Sequence, residues 1–374
     1  MFNKSDLKRE ELMLKPKGRR LGYDWWWHSF TATNSKTGEE KPFFIEFFIC
    51  NPSRGGDTPI LGQLEENKKN NIKPSYLMVK VGTWGEDHCE LNRFFGINKV
   101  EIHAKAPFSI KAGDCYLDDY TTYGSVIIDR GYSDDHPECM TDSGSISWNL
   151  KINKRVAFNV GYGASTLMRK LNAFEMFWHA EGMKTGFSGE ISYNGTKYRV
   201  SEDTSYGYSD KNWGKDFTSP WVWLSSNNLY SVVTKKTLEN SVFDIGGGRP
   251  KCGPIVLNRK LLSAFYYEGK CYEFNFSKFW TNTRTKFSFK ENDDEVMWHI
   301  RQKTWNNELI CDITCKKSDM ILINYEAPNG KKLHNRLWNG GNGRGTIKLY
   351  HRGKLVDELR CSNVGCEYGE YDKK

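Results

Sequence analysis

The chain has 374 residues and a net charge of +8, and this length exceeds what one compact core usually organises, so two domains are expected. Its 13 Trp, 19 Tyr, 21 Phe and 34 Gly are typical of twisted, turn-rich sheets and argue against a helical bundle. The basic residues are scattered without an arginine stripe, which argues against nucleic-acid binding, while weak contact with an anionic membrane surface is left open.

Segments that alternate apolar and polar residues recur along the chain and predict strands. In chain order they are residues 42–50, 76–81, 99–104, 145–152, 197–200, 221–225, 262–267, 295–301, 309–314, 321–325 and 345–350. Asn-Gly, Glu-Gly and Arg-Gly pairs predict hairpin turns at residues 193–196, 267–270, 328–331 and 351–354, and an exposed loop is expected at 134–138. Short helices are predicted only around residues 4–14 and 166–173.

So many antiparallel strands predict an all-β fold in which closed barrels remove the sheet edges. Barrels of about eight to ten strands can hold one apolar ligand, and two of them fit this length. We place one barrel at residues 1–215 and the other at 216–374, with the junction at 215–220.

The ten cysteines include no Cys-x-x-Cys pair, although Cys311 and Cys315 would share one face of a strand. A zinc site needs further convergent ligands, so buried free thiols and no metal are predicted. The polar start, with no stretch near the roughly 18 apolar residues of a membrane span, leads us to expect a cytoplasmic protein.

The most informative stretch is residues 208–214, Tyr-Ser-Asp-Lys-Asn-Trp-Gly, which is followed by Pro-Trp-Val-Trp at 220–223. Together with residues 187–200 and 221–227, it closely resembles the tocopherol cyclase family. Residues 22–27, 246–248, 265–274 and 362–369 are also similar, in the same order. The resemblance covers almost the whole chain and is weakest between residues 105 and 180.

This resemblance implies two lipocalin-like β-barrels, in agreement with the strand pattern. It also implies a cofactor-independent reaction in which a prenyl double bond is protonated and a phenol oxygen closes a ring. Tocopherol cyclases generally carry Glu before Lys-Asn-Trp-Gly, and the related carotenoid hydratases carry Asp-His before Trp-Gly. This chain has Asp210 followed by Lys211, so cyclisation and hydration both stay open. Its Lys- and Asn-rich composition, without a plastid-targeting extension, suggests a bacterial member.

Asp210 is the candidate acid, because burial among aromatic residues keeps a carboxyl group protonated near neutral pH. The alternative is a turn carboxylate bonded to backbone amides or paired with Lys211. In an extended segment Lys211 would point to the opposite face, whereas Tyr208 would share the face of Asp210 and orient the acid or relay its proton. Asp210, Tyr208 and Lys211 form the candidate catalytic set.

Aromatic rings can stabilise a transient cation through their quadrupoles. The candidate substrate-binding residues are Trp213, Trp221, Trp223, Trp25 and Trp27. The alternative for each of these indoles is simple packing in a barrel core. His179 is a further candidate, and His28 a weaker one, because a lone histidine is more often structural. The leading hypothesis is an acid-initiated cyclase, isomerase or hydratase of a hydrophobic prenylated or polyene molecule. A carrier that binds such a molecule unchanged, or a partner-binding double barrel, is the alternative, and the oligomeric state stays open.

Overall fold

The computed structural model describes residues 2, 4–14, 21–158, 175–249, 251–252, 255–256, 258–331 and 333–370. Over these residues the chain is all-β, with two lipocalin-like antiparallel barrels packed side by side and only short helices, as the sequence predicts. The predicted helix around residues 166–173 lies outside the described residues.

The first barrel is a sheet that has twelve strands within the described residues. They are β1 (Tyr23–Asn34), β2 (Glu40–Cys50), β3 (Tyr76–Thr83), β4 (Cys89–Phe95), β5 (Val100–His103), β6 (Ser109–Ala112), β7 (Cys115–Asp118), β8 (Thr121–Ile128), β9 (Gly144–Phe158), β10 (Met176–Tyr193), β11 (Thr196–Val200) and β12 (Gly207–Gly214). The sheet order is β4-β3-β2-β1-β11-β10-β9-β8-β7-β6-β5, and β12 pairs with both β1 and β10. Arg93 on β4 donates to the backbone oxygen of Ser125 on β8 at 3.1 Å, which brings the two halves of the sheet together.

The second barrel also has twelve strands in the part of the chain that is described. They are β13 (Trp221–Ser226), β14 (Asn228–Ser231), β15 (Lys236–Leu238), β16 (Val242–Gly248), β19 (Lys260–Tyr267), β20 (Lys270–Phe274), β21 (Arg284–Glu291), β22 (Glu295–Lys303), β23 (Asn307–Lys316), β24 (Met320–Glu326), β25 (Leu333–His351) and β26 (Lys354–Gly369); β17 (Lys251–Cys252) and β18 (Ile255–Val256) pair separately. The main order is β20-β19-β16-β13-β26-β25-β23-β22-β21. Gln302 on β22 donates to the backbone oxygen of Leu261 on β19 at 2.9 Å and links distant strands of this sheet.

The helices are short. They are α1 (Lys4–Leu7), α2 (Glu65–Lys69) and α3 (Arg130–Asp135), with 3-10 turns at Pro52–Arg54, Ile97–Lys99, Pro137–Cys139, Phe279–Thr281 and Lys317–Asp319. The helix predicted over residues 4–14 therefore ends early, at Leu7. Beyond it, the backbone amides of Met13 and Leu14 donate to the Asp24 carboxylate, which holds this segment against β1 in place of helical bonds.

The predicted hairpins form where the sequence places them. Asn194 and Gly195 both have positive φ angles, 47° and 81°, and they join β10 to β11. Arg352 and Gly353 do the same between β25 and β26, with φ angles of 48° and 76°. Two consecutive positive φ angles are typical of the type I′ turn, whose twist matches that of antiparallel strands.

Three apolar clusters organise the fold. One is built from the strands of the first barrel and includes Trp26, and another is built from the strands of the second barrel. The third contains side chains of both barrels and includes Trp25 and Trp27, so alternation along β1 sends neighbouring indoles to different cores. The two barrels thus bury a shared interface between them, called here the inter-barrel core.

The chain passes from the first sheet to the second between Gly214 and Trp221. Phe217 in this connection is buried in the inter-barrel core and stacks on Tyr23 with ring centroids 4.7 Å apart. The predicted division at residues 1–215 and 216–374 falls within this connection and stays a prediction.

Candidate functional site

Strand β12 carries the sequence motif into the inter-barrel core. It lies between β1 and β10, with Asp210 opposite Trp27 in the register. Because side chains alternate along a strand, Tyr208 and Asp210 share the face that meets the second barrel. Asp210 is 7% exposed, so its carboxyl group is almost removed from water.

Asp210 is held by aromatic hydrogen-bond donors. The indole N–H of Trp178 donates to Oδ2 at 2.7 Å, and that of Trp25 donates to Oδ1 at 3.3 Å. The hydroxyl of Tyr208 lies 3.3 Å from Oδ2. Trp178 and Trp25 come from β10 and β1, the two strands that flank β12, so local sheet geometry fixes the acid.

A second buried carboxyl group faces Asp210 from the other barrel. Asp244 on β16 is fully buried, and its Oδ2 lies 3.3 Å from the hydroxyl of Tyr208. The indole N–H of Trp223 donates to its Oδ1 at 3.0 Å. The Tyr208 and Trp223 rings lie 4.8 Å apart, so one phenol and one indole join the two carboxyl groups across the interface.

Glu367 on β26 adds a third carboxyl group to the same region. It is opposite Trp223 in the register, and it accepts hydrogen bonds from the indole of Trp221 at 2.7 Å and the amide of Asn339 at 2.5 Å. The Trp221 ring also meets Trp178 edge to face at 6.2 Å. The site is therefore a group of acids whose hydrogen-bond donors are mainly indoles.

Burial controls the protonation of this group. It raises the pKa of Asp210 well above its ordinary value, and the nearby Glu367 adds to the rise, while the indole hydrogen bonds oppose it. Burial, followed by the charge of Asp210, also raises the pKa of Asp244 well above its usual range. Burial raises the pKa of Glu367 to about 7. Such carboxyl groups are suited to give a proton to a bound substrate near neutral pH.

Two glycines make room for the indoles. A Cβ atom on Gly246 would lie 2.4 Å from the Trp178 ring, and one on Gly365 would lie 2.3 Å from the Trp223 ring. Gly246 begins a run of three glycines at residues 246–248. The structure places it within β16, where its bare backbone allows Trp178 to reach Asp210.

Lys211 does not reach the Asp210 carboxyl group. It points to the opposite face of β12, where its ammonium group forms a fully buried ion pair with Asp24 and lies 3.8 Å from the Trp26 ring centroid. Burial lowers the pKa of Lys211 and Asp24 opposes this shift. Alternation along the strand thus separates the proposed catalytic lysine from the proposed acid.

The other candidate residues divide between the two faces. Trp25, Trp221 and Trp223 lie in the inter-barrel core, as does Trp27, whose ring stacks on Phe44 at 5.1 Å. The Trp27 Nε1 has no hydrogen-bond partner among the described residues. Trp213 stacks on Phe177 at 5.7 Å and is not part of that core.

The two candidate histidines point away from the acids. His179 on β10 is opposite Lys211 in the register, with Nε2 3.7 Å from Asp6. His28 is fully buried beside Ser209, with its Nδ1 2.9 Å from the hydroxyl, and burial lowers its pKa to about 3. Neither histidine joins the group around Asp210.

Three residues of the site were missed from sequence: Trp178, Asp244 and Glu367. Asp244 lies in Val-Phe-Asp-Ile and Glu367 in Cys-Glu-Tyr, and a lone acid inside an apolar strand is unusual enough to be a signal. Trp178 directly precedes the candidate residue His179 in the sequence.

A narrow cleft between the barrels leads to the site. Its volume is about 20 Å³, which is room for about one water molecule, and Tyr208 and Trp223 form part of its wall. Serine and threonine residues from both barrels also line it, namely Ser29, Thr31, Ser225 and Ser226. The cleft therefore places space for a water molecule beside Tyr208.

The described residues contain no group of three or more His, Cys, Asp or Glu side chains placed to hold a metal ion. In that part of the chain, no helix has both the length and the apolar character needed to cross a membrane.

A family model described as Tocopherol cyclase-like matches residues 118–370, which is more than half of the chain. The chain belongs to the tocopherol cyclase-like family. A probable chloroplastic tocopherol cyclase of Oryza sativa subsp. japonica is 31% identical over 128 residues. That match covers 30% of this chain and 25% of the rice protein, so the chain spans about a quarter of its relative's length.

Some solved structures resemble this chain over most of its length, but their sequence identity to it is low. A putative AttH from Nitrosomonas europaea is 12% identical with a TM-score of 0.48, covering 94% of this chain and 93% of that one. The structure of CghA with Sch210972 is 9% identical with a TM-score of 0.49, covering 95% and 90%. Kievitone hydratase from Nectria haematococca is 10% identical with a TM-score of 0.46, covering 94% and 90%. Likenesses at this level carry no functional argument.

Proposed function

We propose that the protein is a cofactor-independent enzyme that protonates a carbon–carbon double bond of a hydrophobic prenylated or polyene molecule, with Asp210 as the acid. Capture of the resulting cation by an oxygen of the same molecule makes it a cyclase, in the isomerase class. Its family membership supports this chemistry, and the location in a bacterial cytoplasm stays a prediction from the sequence.

The observation that carries the proposal is the setting of Asp210. Its oxygens accept indole hydrogen bonds from Trp25 and Trp178, and no lysine or arginine forms an ion pair with it among the described residues. A buried carboxyl group without a cation favours its protonated form. Asp210 can therefore hold a proton at neutral pH and release it to an alkene.

The same indoles can stabilise the product of that step. Trp25, Trp178 and Trp223 lie in the inter-barrel core around the two aspartates. A carbocation close to an indole face is stabilised by about 2 kcal/mol or more when water is excluded. The aromatic side chains that exclude water from the acid would then also lower the energy of the cation.

Hydration is the second candidate, and the cleft supplies the observation in its favour. Serine and threonine residues from both barrels line it next to Tyr208, and its volume of about 20 Å³ is enough for one water molecule. The first step would be the same, and water would capture the cation in place of an internal phenol. The fate of the oxygen distinguishes the two reactions.

The experiment compares the wild type with Asp210→Asn and with Asp357→Asn. Asp357 is a fully buried aspartate near the other end of β26 that accepts a hydrogen bond from Tyr267, so it controls for the replacement of a buried aspartate by asparagine. Each protein is incubated with a polyprenylated methylhydroquinone and with a linear polyene, and products are identified by mass spectrometry. We expect product from the wild type and Asp357→Asn only.

A product that gains no mass indicates cyclisation, and one that gains the mass of water indicates hydration. Extracts of the purified proteins provide a second readout, because an apolar molecule retained by Asp210→Asn and not by the wild type is expected of a blocked enzyme. Retention of one unchanged molecule by all three proteins, without product, would instead identify a carrier.

A further inference from the structure

The phenol of Tyr208 lies between two carboxyl groups that come from different barrels. Its oxygen is 3.3 Å from Oδ2 of Asp210 and 3.3 Å from Oδ2 of Asp244. A phenol has one hydrogen to donate, although its oxygen can also accept. Both contacts are hydrogen bonds only when one of the carboxyl groups carries a proton and donates it to the phenol oxygen.

The surroundings favour that shared proton. Neither aspartate forms an ion pair with a lysine or arginine in the described part of the chain, and both are buried. Two like charges so close in a site of low polarity cannot both be present without a large cost in free energy. The pair therefore keeps at least one proton, and its two carboxyl groups titrate as one coupled unit.

The reaction proposed above needs two proton positions. Asp210 gives a proton to an alkene carbon at the start, and the O–H group that captures the cation must lose a proton at the end. We propose that Asp244 accepts this second proton and that Tyr208 returns it to Asp210. This inference rests on the proposed function and extends it to the completion of the cycle.

Each proton and bond is accounted for. The alkene electron pair forms a C–H bond with the proton of Asp210, which becomes a carboxylate. The phenol or water oxygen forms a C–O bond with the cation, its O–H bond breaks, and the proton passes to Asp244. Tyr208 then gives its proton to Asp210 and takes the proton of Asp244, so all three residues return to their first state.

The geometry favours these separate roles. Trp223 holds the far oxygen of Asp244 at 3.0 Å and leaves Oδ2 directed at Tyr208. Trp178 and Trp25 hold Asp210 from the first barrel. Acid and acceptor are thus fixed on opposite sides of one phenol, and neither needs to move for the proton to return.

The activity test uses Asp244→Asn and Tyr208→Phe, with Asp357→Asn as the control and a polyprenylated methylhydroquinone as the probe. We expect both site variants to lose about 100-fold in steady-state kcat, the size of an acid–base contribution. Tyr208→Phe, which blocks only the return of the proton, should still form product in a single turnover, whereas Asp244→Asn should be slowed in that turnover as well. KM should change little, because the apolar walls remain. Asp357→Asn should keep the wild-type kcat.

The pH profile separates a proton acceptor from a structural residue. The reaction requires Asp210 protonated and Asp244 ionised, so the wild-type kcat should rise and then fall with pH. In Asp244→Asn, kcat should no longer rise with pH at the acidic end, and only its decrease at high pH should remain. Glu367 on β26 and Glu181 on β10 are the other charged groups that act on Asp210, and they are unchanged in both proteins.

A steady-state kcat of Asp244→Asn within about twofold of the wild type, with both limbs of the profile kept, would overturn the inference and leave the proposed function intact. Absence of product from the wild type would count against the proposed function instead. Infrared spectra of the substrate-free protein with ¹³C-labelled aspartate test the pair independently. A shared proton predicts two coupled titration steps that reduce to one in Asp244→Asn, and titration of both groups at ordinary aspartate values would refute it.

Discussion

Tyr208 and Asp244 belong to different barrels, and the hydroxyl of one lies 3.3 Å from the carboxyl group of the other inside the inter-barrel core. Through the same hydroxyl, Asp244 is connected to Asp210. The candidate site therefore exists only when the two barrels are packed together. This dependence allows the account to be tested by variants in either barrel.

Trp178→Phe tests the donor that is closest to the acid. The indole hydrogen bond at 2.7 Å lowers the pKa of Asp210, so its removal should raise that pKa further. The fall of kcat at high pH should move up by about one to two pH units, since a hydrogen bond to a charged group contributes about 1.5–3 kcal/mol. Trp148→Phe removes a buried indole that donates to Thr122 and should leave the fall in place. A downward shift in Trp178→Phe would contradict the assigned hydrogen bond.

Gly246→Ala tests the space that Trp178 occupies. The new Cβ atom would lie 2.4 Å from the ring, so the indole must shift away from Asp210. We expect a loss of about 1–3 kcal/mol in the free energy of unfolding, together with lower activity. Urea unfolding measures the first effect. Gly56→Ala is the control, because nothing lies within 4 Å of its added atom, and equal losses in the two variants would count against this packing.

Lys211→Met tests whether the lysine adjacent to the acid is structural. It leaves the fully buried Asp24 without its cation, which should cost about 3–5 kcal/mol of stability by urea unfolding. Replacing Asp24 by Asn in the same protein should restore much of that loss. The pH profile of kcat should be unchanged in the double variant. Loss of turnover in a stable double variant would instead place Lys211 in the chemistry.

The stability of the protein should fall as the pH rises. Burial raises the pKa of Glu46 from 4.5 to about 8, and Tyr325 donates to its carboxyl group at 2.8 Å. A raised value in the folded state means that the folded protein binds more protons than the unfolded chain between these two pH values. The free energy of unfolding should therefore decrease over that window, by up to about 1.4 kcal/mol per pH unit for each such proton.

Glu46→Gln should reduce this slope in urea unfolding measured at several pH values. Lys80 on β3, Glu90 on β4 and Glu367 on β26 are the charged groups that act on Glu46. Lys80 is itself paired with Glu90 at 2.6 Å, so it is not freely available to Glu46. An unchanged slope would show that Glu46 titrates at an ordinary value in the folded protein.

The local part of this arrangement could be predicted from the sequence. Alternation places Tyr208 and Asp210 on one face of β12 and Lys211 on the other, and Gly-containing turns mark the hairpins. Strands β1 and β10 were absent from the predicted strands. Both carry long buried runs that do not alternate, and such runs give a weak strand signal.

The partners of Asp210 across the interface could not be predicted in this way. Asp244 and Glu367 are distant from it in the sequence, and they meet it only because two barrels pack face to face. A local pattern records which face of a strand is apolar, but it does not record which surface covers that face. The same limit explains why Trp178 was overlooked, since its role depends on the bare backbone of Gly246.

The central claim is that Asp210 transfers a proton to carbon, and isotope transfer tests it most directly. The wild type, Asp210→Asn and Asp357→Asn are equilibrated in D₂O and incubated with a polyprenylated methylhydroquinone. Nuclear magnetic resonance then locates deuterium in the product. We predict one deuterium at the former alkene carbon with the wild type and Asp357→Asn, and no deuterated product with Asp210→Asn. Deuterated product formed by a folded Asp210→Asn at the wild-type rate would contradict the account.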